Sequence, residues 1–461
     1  MDFKKYIMIA GILISLVILL APTVEGLPVA GKNAIAVFVF TLTLWVTNVI
    51  PLAVTSLLGM ALIPLFGVLS PDRSFALFGN KAIFFILGAL IMAAGIQKTG
   101  LGVRVAYKII SRFNDNPRHM VGGVMVTAAS LSCIMPEHAV AALLFPVVIQ
   151  IARTYDLKPL ESNLGKCLFL ALAWGAVIGG ITTYLGGARN LLAVDILQKN
   201  HGMYINFFEW IKMSIPIPVV ILTITYFILV NMLPPEEGIS VTEEELGEIM
   251  LERKSLSRDE LKLMGIVVIV IFSWLFFSRT VDISITAVLG GVAVFIFKIV
   301  SWNEIMEYVN WNVILMYGGA IVVASSLTET GAAQWFSEAV FSGLAVGPLI
   351  FIAVVSLITK VLTEGISNVA AVAIILPLSF SWGDIIGINP VLVTLSVALA
   401  GGLAFCLPMG TPPNAIAFSA GYYKIGDVVK IGVILNFISW IVVLLVSKFY
   451  WPLIGVDWII Q

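Results

Sequence analysis

Four ionisable residues lie in stretches of the sequence that are otherwise apolar. They are Glu137, His138, Arg189 and Lys360. A charge in apolar surroundings is costly unless a partner compensates it, so such residues are candidates for a functional role. A carboxylate attracts cations, a guanidinium attracts carboxylates, and an imidazole can carry a proton or donate a hydrogen bond. These residue types therefore predict ion binding within the apolar part of the protein.

Two sequences close to these residues cannot continue as regular helix. In Gly410-Thr411-Pro412-Pro413-Asn414 the adjacent prolines remove two amide donors, and the first proline moves the preceding threonine out of the α region. Gly186-Gly187-Ala188-Arg189-Asn190 corresponds to it at an offset of 224. Carbonyl groups freed at a helix end suit a bare cation, and amides at the next helix start suit an anion. The interruptions therefore predict that a cation and an anion bind side by side.

The composition places these segments in a lipid bilayer. The chain has 461 residues, of which 60% are hydrophobic and 11% charged, and its mean hydropathy is +1.05. Many apolar runs approach the roughly 20 residues that a helix needs to cross a membrane. A net charge of -1 gives no reason to expect a nucleic-acid partner, and the three cysteines have no metal-binding spacing. We therefore expect an all-α polytopic protein of the cell (plasma) membrane.

An internal repeat organises the chain. Gly88-Ala89 and Thr99-Gly100 recur as Gly319-Ala320 and Thr330-Gly331, at an offset of 231. Duplicated apolar segments with polar interruptions are typical of ion-coupled membrane transporters. The predicted division is 1–79 for N-terminal scaffold helices, 80–233 for the first repeat, 234–261 for a hydrophilic cytoplasmic linker, 262–310 for further scaffold helices and 311–461 for the second repeat.

The basic residues predict that the two repeats are inserted in opposite senses. Five of them lie between 98 and 118, whereas the corresponding segment from 329 to 348 has none. Cytoplasmic segments carry an excess of Lys and Arg, so the two repeats are expected to have opposite orientations. We expect about eleven transmembrane helices plus two re-entrant hairpins in an inverted repeat. The N-terminus is then inside and the C-terminus outside. An amphipathic stretch at 102–112 is expected to lie along the inner surface.

The motifs of the second repeat carry a family resemblance. Ser367-Asn368 is followed by Pro377, and 410–414 forms a Gly-Thr-Pro turn. With Trp45-Val46-Thr47-Asn48-Val49-Ile50-Pro51, in which Asn48 replaces the glutamate of a Trp-x-Thr-Glu-x-x-Pro signature, the chain resembles the divalent anion/sodium symporter family. Members carry dicarboxylates, citrate or sulfate into cells. The resemblance implies sodium as the coupling ion, no other cofactor, and a homodimer whose interface is formed by helices within 33–69 and 262–300.

The resemblance also implies roles for residues of the second repeat. The second sodium site of the family falls on Thr363, Asn368 and the carbonyl of Gly410. The residues expected beside the anion are Ser367, Asn368, Thr411, Pro412 and Asn414. Val369 lacks the hydroxyl that the family has at this position, so one hydrogen bond to the substrate is missing.

The first repeat departs further from the family. Ser132 and Gly186 match the sodium-binding positions. The residues expected near the substrate there are Glu137, His138, Arg189 and Asn190. We expect Glu137 and Arg189 to face each other, with the guanidinium replacing a sodium ion as a permanently attached cation.

The ionisable residues keep alternative interpretations. In place of the pair, Arg189 extends toward the membrane surface or Glu137 binds freed backbone amides. His138 either carries a proton or donates to a carboxylate, or is a structural histidine that faces a backbone carbonyl. Lys360 either extends toward the membrane surface or pairs with Glu364.

The leading expectation is a sodium-coupled importer of small divalent anions such as succinate, malate or sulfate. A proton-linked antiporter that uses Glu137 and His138 is the main alternative. An intramembrane hydrolase is disfavoured, because no His-Glu-x-x-His or Gly-x-Ser-x-Gly motif occurs. A passive channel would not need two broken helices. The protein is therefore not expected to be an enzyme.

Overall fold

The computed structural model describes residues 2–47, 49–113, 116–236, 255–278, 280–309, 311–341, 346–408 and 410–459. Most of the predicted linker lies outside these residues, as does Asn48 of the Trp-x-Thr signature. The described residues form helices joined by turns and loops. They contain no β-strand, and Ile388 and Ile459 make a single antiparallel bridge.

The helices of the two repeats follow one another in the same order. After an N-terminal helix Asp2–Leu20, the first set comprises Val29–Thr47, Leu52–Leu65, Pro71–Phe78, Lys81–Thr99, Leu101–Ile110, Pro117–Ser132, Glu137–Thr154, Asn163–Gly180, Ala188–His201, Phe207–Ser214 and Pro216–Met232. The second set comprises Arg258–Phe276, Ile283–Ile296, Trp302–Tyr308, Trp311–Glu329, Ala332–Phe341, Pro348–Gly365, Asn368–Ile385, Pro390–Ala400, Pro412–Ser419 and Ile425–Leu445, which continues through the π turn Val446–Tyr450 into Trp451–Leu453. The correspondence includes helices such as Leu52–Leu65 and Ile283–Ile296, which the sequence assigned to the scaffold.

Several of these helices are membrane spans by length and composition. Within the described part, seven helices are long and apolar enough to cross a bilayer, or eight if the bent pair Phe207–Ser214 and Pro216–Met232 counts as one span. Shorter apolar helices of 10–17 residues accompany them, among them Leu52–Leu65 and Ile283–Ile296. The predicted class, an all-α multi-pass membrane protein, is confirmed.

The two repeats are interlocked by a reciprocal crossing of helices. Lys81–Thr99 of the first set packs along Ile283–Ile296 of the second, and Trp311–Glu329 of the second packs along Leu52–Leu65 of the first. The crossing is so close that a methyl group at Gly88 would overlap the carbonyl oxygen of Ala287. The repeated Gly-Ala pair in the sequence therefore marks the contact between the halves.

The equivalent crossing of the second repeat is equally close. A methyl group at Gly319 would lie 2.5 Å from the carbonyl oxygen of Ser56. The Ser56 hydroxyl accepts a hydrogen bond from the Trp45 indole at 3.2 Å. The early tryptophan motif thus stabilises this helix crossing.

Replacing Gly88 by alanine will lower the apparent melting temperature of the detergent-purified protein. The added methyl group forces two packed helices apart, and overpacking of this kind typically costs about 1–3 kcal/mol. The matched control is Gly265→Ala, because Gly265 lies in helix Arg258–Phe276 with no neighbouring group within 4 Å. Alanine there will leave the melting temperature unchanged or raise it, since it favours the helix. A Gly88→Ala protein as stable as the wild type would contradict this packing.

Candidate functional site

Two helix pairs and two broken helices form the site. The first helix pair, Pro117–Ser132 and Glu137–Thr154, is joined by a tip at 133–136, and the second helix pair, Pro348–Gly365 and Asn368–Ile385, by a tip at 366–367. The first broken helix, Asn163–Gly180 and Ala188–His201, is interrupted at 181–187, and the second broken helix, Pro390–Ala400 and Pro412–Ser419, at 401–411. The interruptions fall where the glycine and proline residues of the sequence predicted them.

The two tips and the two interruptions converge on one cavity of about 100 Å³. Residues of the tips, of the first interruption and of the helix starts that follow all four segments line it, namely Pro136, Glu137, His138, Tyr184, Leu185, Gly186, Gly187, Ala188, Arg189, Ser367, Asn368, Val369 and Pro412. The crossing helices Lys81–Thr99 and Trp311–Glu329 close it with apolar side chains, including Phe85 and Met316. The cavity thus combines a few polar groups with a largely apolar wall.

Glu137 and Arg189 form a buried, bidentate ion pair at this cavity. Arg189 Nη1 lies 3.0 Å from Glu137 Oε1, and Arg189 Nη2 lies 3.0 Å from Glu137 Oε2. Only 5% of Glu137 and 2% of Arg189 is exposed. Glu137 stands in the first turn of the helix after the first tip and Arg189 in the first turn of the helix after the first interruption, so the pair joins the first tip to the first broken helix. The predicted pairing is confirmed.

Arg189 also contacts the second tip. In the orientation that satisfies both of its amide atoms, Asn368 Oδ1 accepts a hydrogen bond from Arg189 Nη1 at 3.1 Å, and Asn368 Nδ2 donates to Gly410 O at 3.1 Å and Thr363 Oγ1 at 2.6 Å. The Thr363 hydroxyl donates its own proton to Gly401 O at 2.8 Å. One guanidinium therefore links the two repeats at the cavity.

Glycines make room for this guanidinium. A methyl group at Gly180 would overlap Glu137 Oε2, and one at Gly402 would lie 2.5 Å from Arg189 Nε. Gly180 ends the first half of the first broken helix, whereas Gly402 lies in the interruption of the second. Arg189 is thus enclosed by both broken helices.

The asparagines of the two interruptions occupy equivalent positions behind the cavity wall. Asn190 Nδ2 donates to Gly180 O at 2.9 Å and to Thr183 O at 2.7 Å, and Asn414 Nδ2 donates to Ala404 O at 3.0 Å. The Oδ1 atoms of Asn190 and Asn414 have no partner among the described residues. Both side chains satisfy carbonyl groups that the interrupted helices leave free, and their predicted contact with the substrate stays a prediction.

The other predicted residues lie close to these contacts. Ser367 lines the cavity, accepts a hydrogen bond from the Ala370 amide at 3.2 Å and caps the helix. Thr411 Oγ1 accepts from the Asn414 amide at 3.4 Å. Thr363, Asn368 and Gly410, which the family resemblance assigns to sodium, are brought together by the hydrogen bonds described above.

The first-repeat positions assigned to sodium are also adjacent. Ser132 is fully buried, and its hydroxyl has no partner in the described part of the chain. A methyl group at Gly186 would lie 2.5 Å from the Ser132 carbonyl oxygen. His138 is half-buried at the cavity, and its ring has no hydrogen-bond partner among the described residues.

Lys360 does not extend to the membrane surface. Only 3% of it is exposed, and its ammonium group donates to Leu403 O at 2.7 Å. The interpretation of Lys360 as a surface-seeking residue is wrong, because this freed carbonyl in the second interruption is a nearer partner. No ion pair joins Lys360 to Glu364 among the described residues.

Glu364 binds the other part of the same interruption, a role that the sequence did not predict. Its carboxylate accepts from the amides of Phe405 at 2.7 Å and Leu407 at 2.9 Å, and from Asn436 Nδ2 at 2.6 Å. The only signal in the sequence was a lysine and a glutamate one helical turn apart, next to Thr363.

Comparisons with known proteins agree with this architecture. The family described as "Sodium:sulfate symporter transmembrane region" matches residues 3–456. The sodium-dependent dicarboxylate transporter SdcS of Staphylococcus aureus (strain USA300) is 29% identical over 98% of this chain and 92% of its own length. The crystal structure of the Alcanivorax borkumensis YdaH transporter has a TM-score of 0.57 at 12% identity, covering 84% of this chain and 89% of that one. The Neisseria gonorrhoeae MtrF structure has a TM-score of 0.57 at 12% identity, covering 100% and 96%. These two structures are similar in fold.

Alanine at Glu137 or Arg189 alone will lower the melting temperature of the purified protein strongly, because each leaves an uncompensated buried charge. Such a loss typically costs about 3–5 kcal/mol. The double variant Glu137→Ala/Arg189→Ala will be less destabilised than the sum of the two single variants. The exposed pair Lys98 and Glu304, 2.7 Å apart, is the control, and its cycle will give little coupling. Additive effects at Glu137 and Arg189 would refute their energetic coupling.

Proposed function

The chain belongs to the family of sodium:sulfate symporter transmembrane regions, and on that premise we propose that it imports small divalent anions, such as succinate, malate or sulfate, together with sodium by alternating access. Family membership makes it a multi-pass membrane transporter and not an enzyme. The observation that carries the proposal is the convergence of both tips and both interruptions on one cavity. An anion there meets the amide ends of helices that begin at Glu137, Ala188 and Asn368.

Sodium is the proposed driving ion. An interior-negative membrane potential opposes an entering anion by about 2.3 kcal/mol per charge per 100 mV, and cations that enter with it remove that opposition. Thr363, Asn368 and Gly410 are the proposed ligands of one sodium ion, with Ser132 and Gly186 at the equivalent place in the first repeat. The Arg189 guanidinium already supplies a fixed positive charge beside the first-repeat position, so fewer exchangeable sodium ions accompany each substrate.

The ion pairs between distant helices support the proposed arrangement of about eleven spans and two re-entrant hairpins, N-terminus in and C-terminus out. Each pair joins residues that this topology places on the same side of the membrane. Lys98 with Glu304 and Arg104 with Glu260 lie inside, at 2.7 Å and 2.9 Å. The Lys98 ammonium and the Ser301 amide lower the pKa of Glu304 to about 2, so that pair stays charged.

Two further pairs lie on the outside of the proposed topology. Lys81 is 3.1 Å from Asp282, and Arg73 is 2.7 Å from Glu329. No described ion pair joins residues that the topology assigns to opposite sides.

Alternating access needs a moving unit and a static scaffold. We place the two helix pairs and the two broken helices in the moving unit. The crossing helices Lys81–Thr99 and Trp311–Glu329 belong with the scaffold, because close glycine contacts fix them to Ile283–Ile296 and Leu52–Leu65. A homodimer through the scaffold is part of the proposal, and light scattering of the detergent complex tests it.

The proton-linked alternative depends on His138, because both carboxylate oxygens of Glu137 are bonded to Arg189. An unpartnered imidazole at the cavity could take up a proton together with an anion. Separate sodium and proton gradients distinguish the two modes.

Proteoliposomes will accumulate labelled succinate or sulfate under an inward sodium gradient and not under a proton gradient alone. Thr363→Val will raise the half-maximal sodium concentration on the order of tenfold, because one oxygen ligand is lost. Thr359→Val is the matched control one helical turn away, since the Thr359 hydroxyl bonds Val355 O within its own helix. Uptake that needs protons and ignores sodium would overturn the sodium assignment.

The topology has its own test. In a variant without native cysteines, a single cysteine at Ser111 will be labelled by a membrane-impermeant maleimide only after the vesicles are opened. One at Asp72 will be labelled in intact right-side-out vesicles. Labelling of both positions from the same side would contradict the proposed topology, in which Lys81–Thr99 crosses the membrane between them, and uptake activity of each variant is the control for correct folding.

A further inference from the structure

The amide of Asn368 has two possible orientations, and only one of them can bind a cation. In one, its oxygen accepts from Thr363 Oγ1 at 2.6 Å. In the other, which satisfies both amide atoms without a cation, its nitrogen faces Gly410 O at 3.1 Å and Thr363 Oγ1 at 2.6 Å, the other two proposed ligands of sodium. An NH2 group is a donor and cannot coordinate a cation, whereas the amide oxygen can. Sodium binding between Gly410 and Thr363 therefore requires the amide of Asn368 to leave its cation-free orientation and turn its oxygen toward Thr363.

Turning the amide breaks its contact with Arg189. In the cation-free orientation Asn368 Oδ1 accepts from Arg189 Nη1 at 3.1 Å. After the turn, the NH2 group would face the NH2 group of the guanidinium, and two donors cannot bond to each other. The Thr363 hydroxyl keeps its bond to Gly401 O in both arrangements, because it accepts from Asn368 or ligates sodium with its lone pairs.

The hydrogen bonds of Arg189 Nη1 show which hydrogen is released when Asn368 turns. Nη1 has two hydrogens, of which one is bonded to Glu137 Oε1 at 3.0 Å and the other to Asn368 Oδ1. When Asn368 turns over, the second hydrogen is released while the ion pair with Glu137 remains. Arg189 lines the cavity, so the released N–H becomes available to an anion there.

We propose that the Asn368 amide is a switch between two exclusive states: one bonded to Arg189, and one bonded to sodium with Arg189 Nη1 released for the transported anion. This inference rests on the proposed function and adds the side chains that couple the two ligands. Sodium releases Arg189 Nη1 for the anion, and the anion in turn stabilises the sodium-bound state, because coupling between two ligands is reciprocal.

The test uses the double variant Glu137→Gln/Arg189→Met, which removes the guanidinium without leaving a buried unpaired carboxylate. Sodium is titrated into the purified protein, with and without succinate, and binding is followed by calorimetry. Because sodium no longer competes with Arg189 for Asn368 Oδ1, the half-saturating sodium concentration will fall by about tenfold. Succinate will bind more weakly, and sodium will no longer strengthen its binding. An unchanged or raised half-saturating sodium concentration would overturn the switch.

A second variant keeps the test decisive if the double variant does not fold. In Asn368→Asp one carboxylate oxygen can stay with Arg189 while the other meets sodium, so sodium will bind without strengthening succinate binding. If sodium strengthens succinate binding in this variant as much as in the wild type, the switch is wrong.

The control removes an ion pair that is remote from the cavity. Arg104→Met/Glu260→Gln eliminates a pair with a 2.9 Å contact at the proposed inner surface, and its sodium affinity will match that of the wild type. A wild type that neither binds nor transports succinate or sulfate with sodium contradicts the proposed function itself. A wild type that transports with sodium, combined with an unaltered sodium affinity of the double variant, contradicts only the switch.

Discussion

The buried ion pair between Glu137 and Arg189 is the interaction on which the arrangement of the site depends. Desolvating two charges is expensive, and the pair is tolerated only because each oxygen of the carboxylate and both terminal nitrogens of the guanidinium are bonded. That geometry fixes the first tip against the first broken helix. It also places Arg189 within reach of Asn368 in the second tip, so a single side chain connects both repeats.

The two repeats solve the same backbone problem with different chemistry. An interrupted helix in a membrane must find partners for the groups it frees. In the first interruption neutral donors supply them, for example Trp210 Nε1 to Ile181 O at 3.1 Å and Ser214 Oγ to Thr182 O at 3.0 Å. In the second, the charged groups of buried Lys360 and half-buried Glu364 bind the freed carbonyl and amide groups. The two repeats are therefore alike in helix order and different in electrostatics.

The sequence predicted the features that follow from local chemistry. Adjacent prolines and glycines located the interruptions, and two opposite charges beside them predicted the Glu137–Arg189 pair. Contacts that depend on packing between distant segments could not be predicted from the sequence. Lys360 binds a carbonyl 43 residues away and Glu364 an amide 72 residues away, and no spacing rule predicts either. Asn190 and Asn414 were predicted beside the anion, yet their NH2 groups bond carbonyls freed a few residues earlier in the chain.

The reciprocal crossing of the halves has a consequence for biosynthesis. Each crossing contains one helix from each half, so a ribosome that has completed the first half has made only one member of each. Leu52–Leu65 lacks its crossing partner until Trp311–Glu329 has been synthesised, and Gly88 lacks its contact with Ala287 until the second half is made. Small-residue helix surfaces must therefore stay exposed to lipid or to the insertion machinery during translation. Maturation of the nascent chain is consequently a late, concerted event and not a stepwise completion of two independent units.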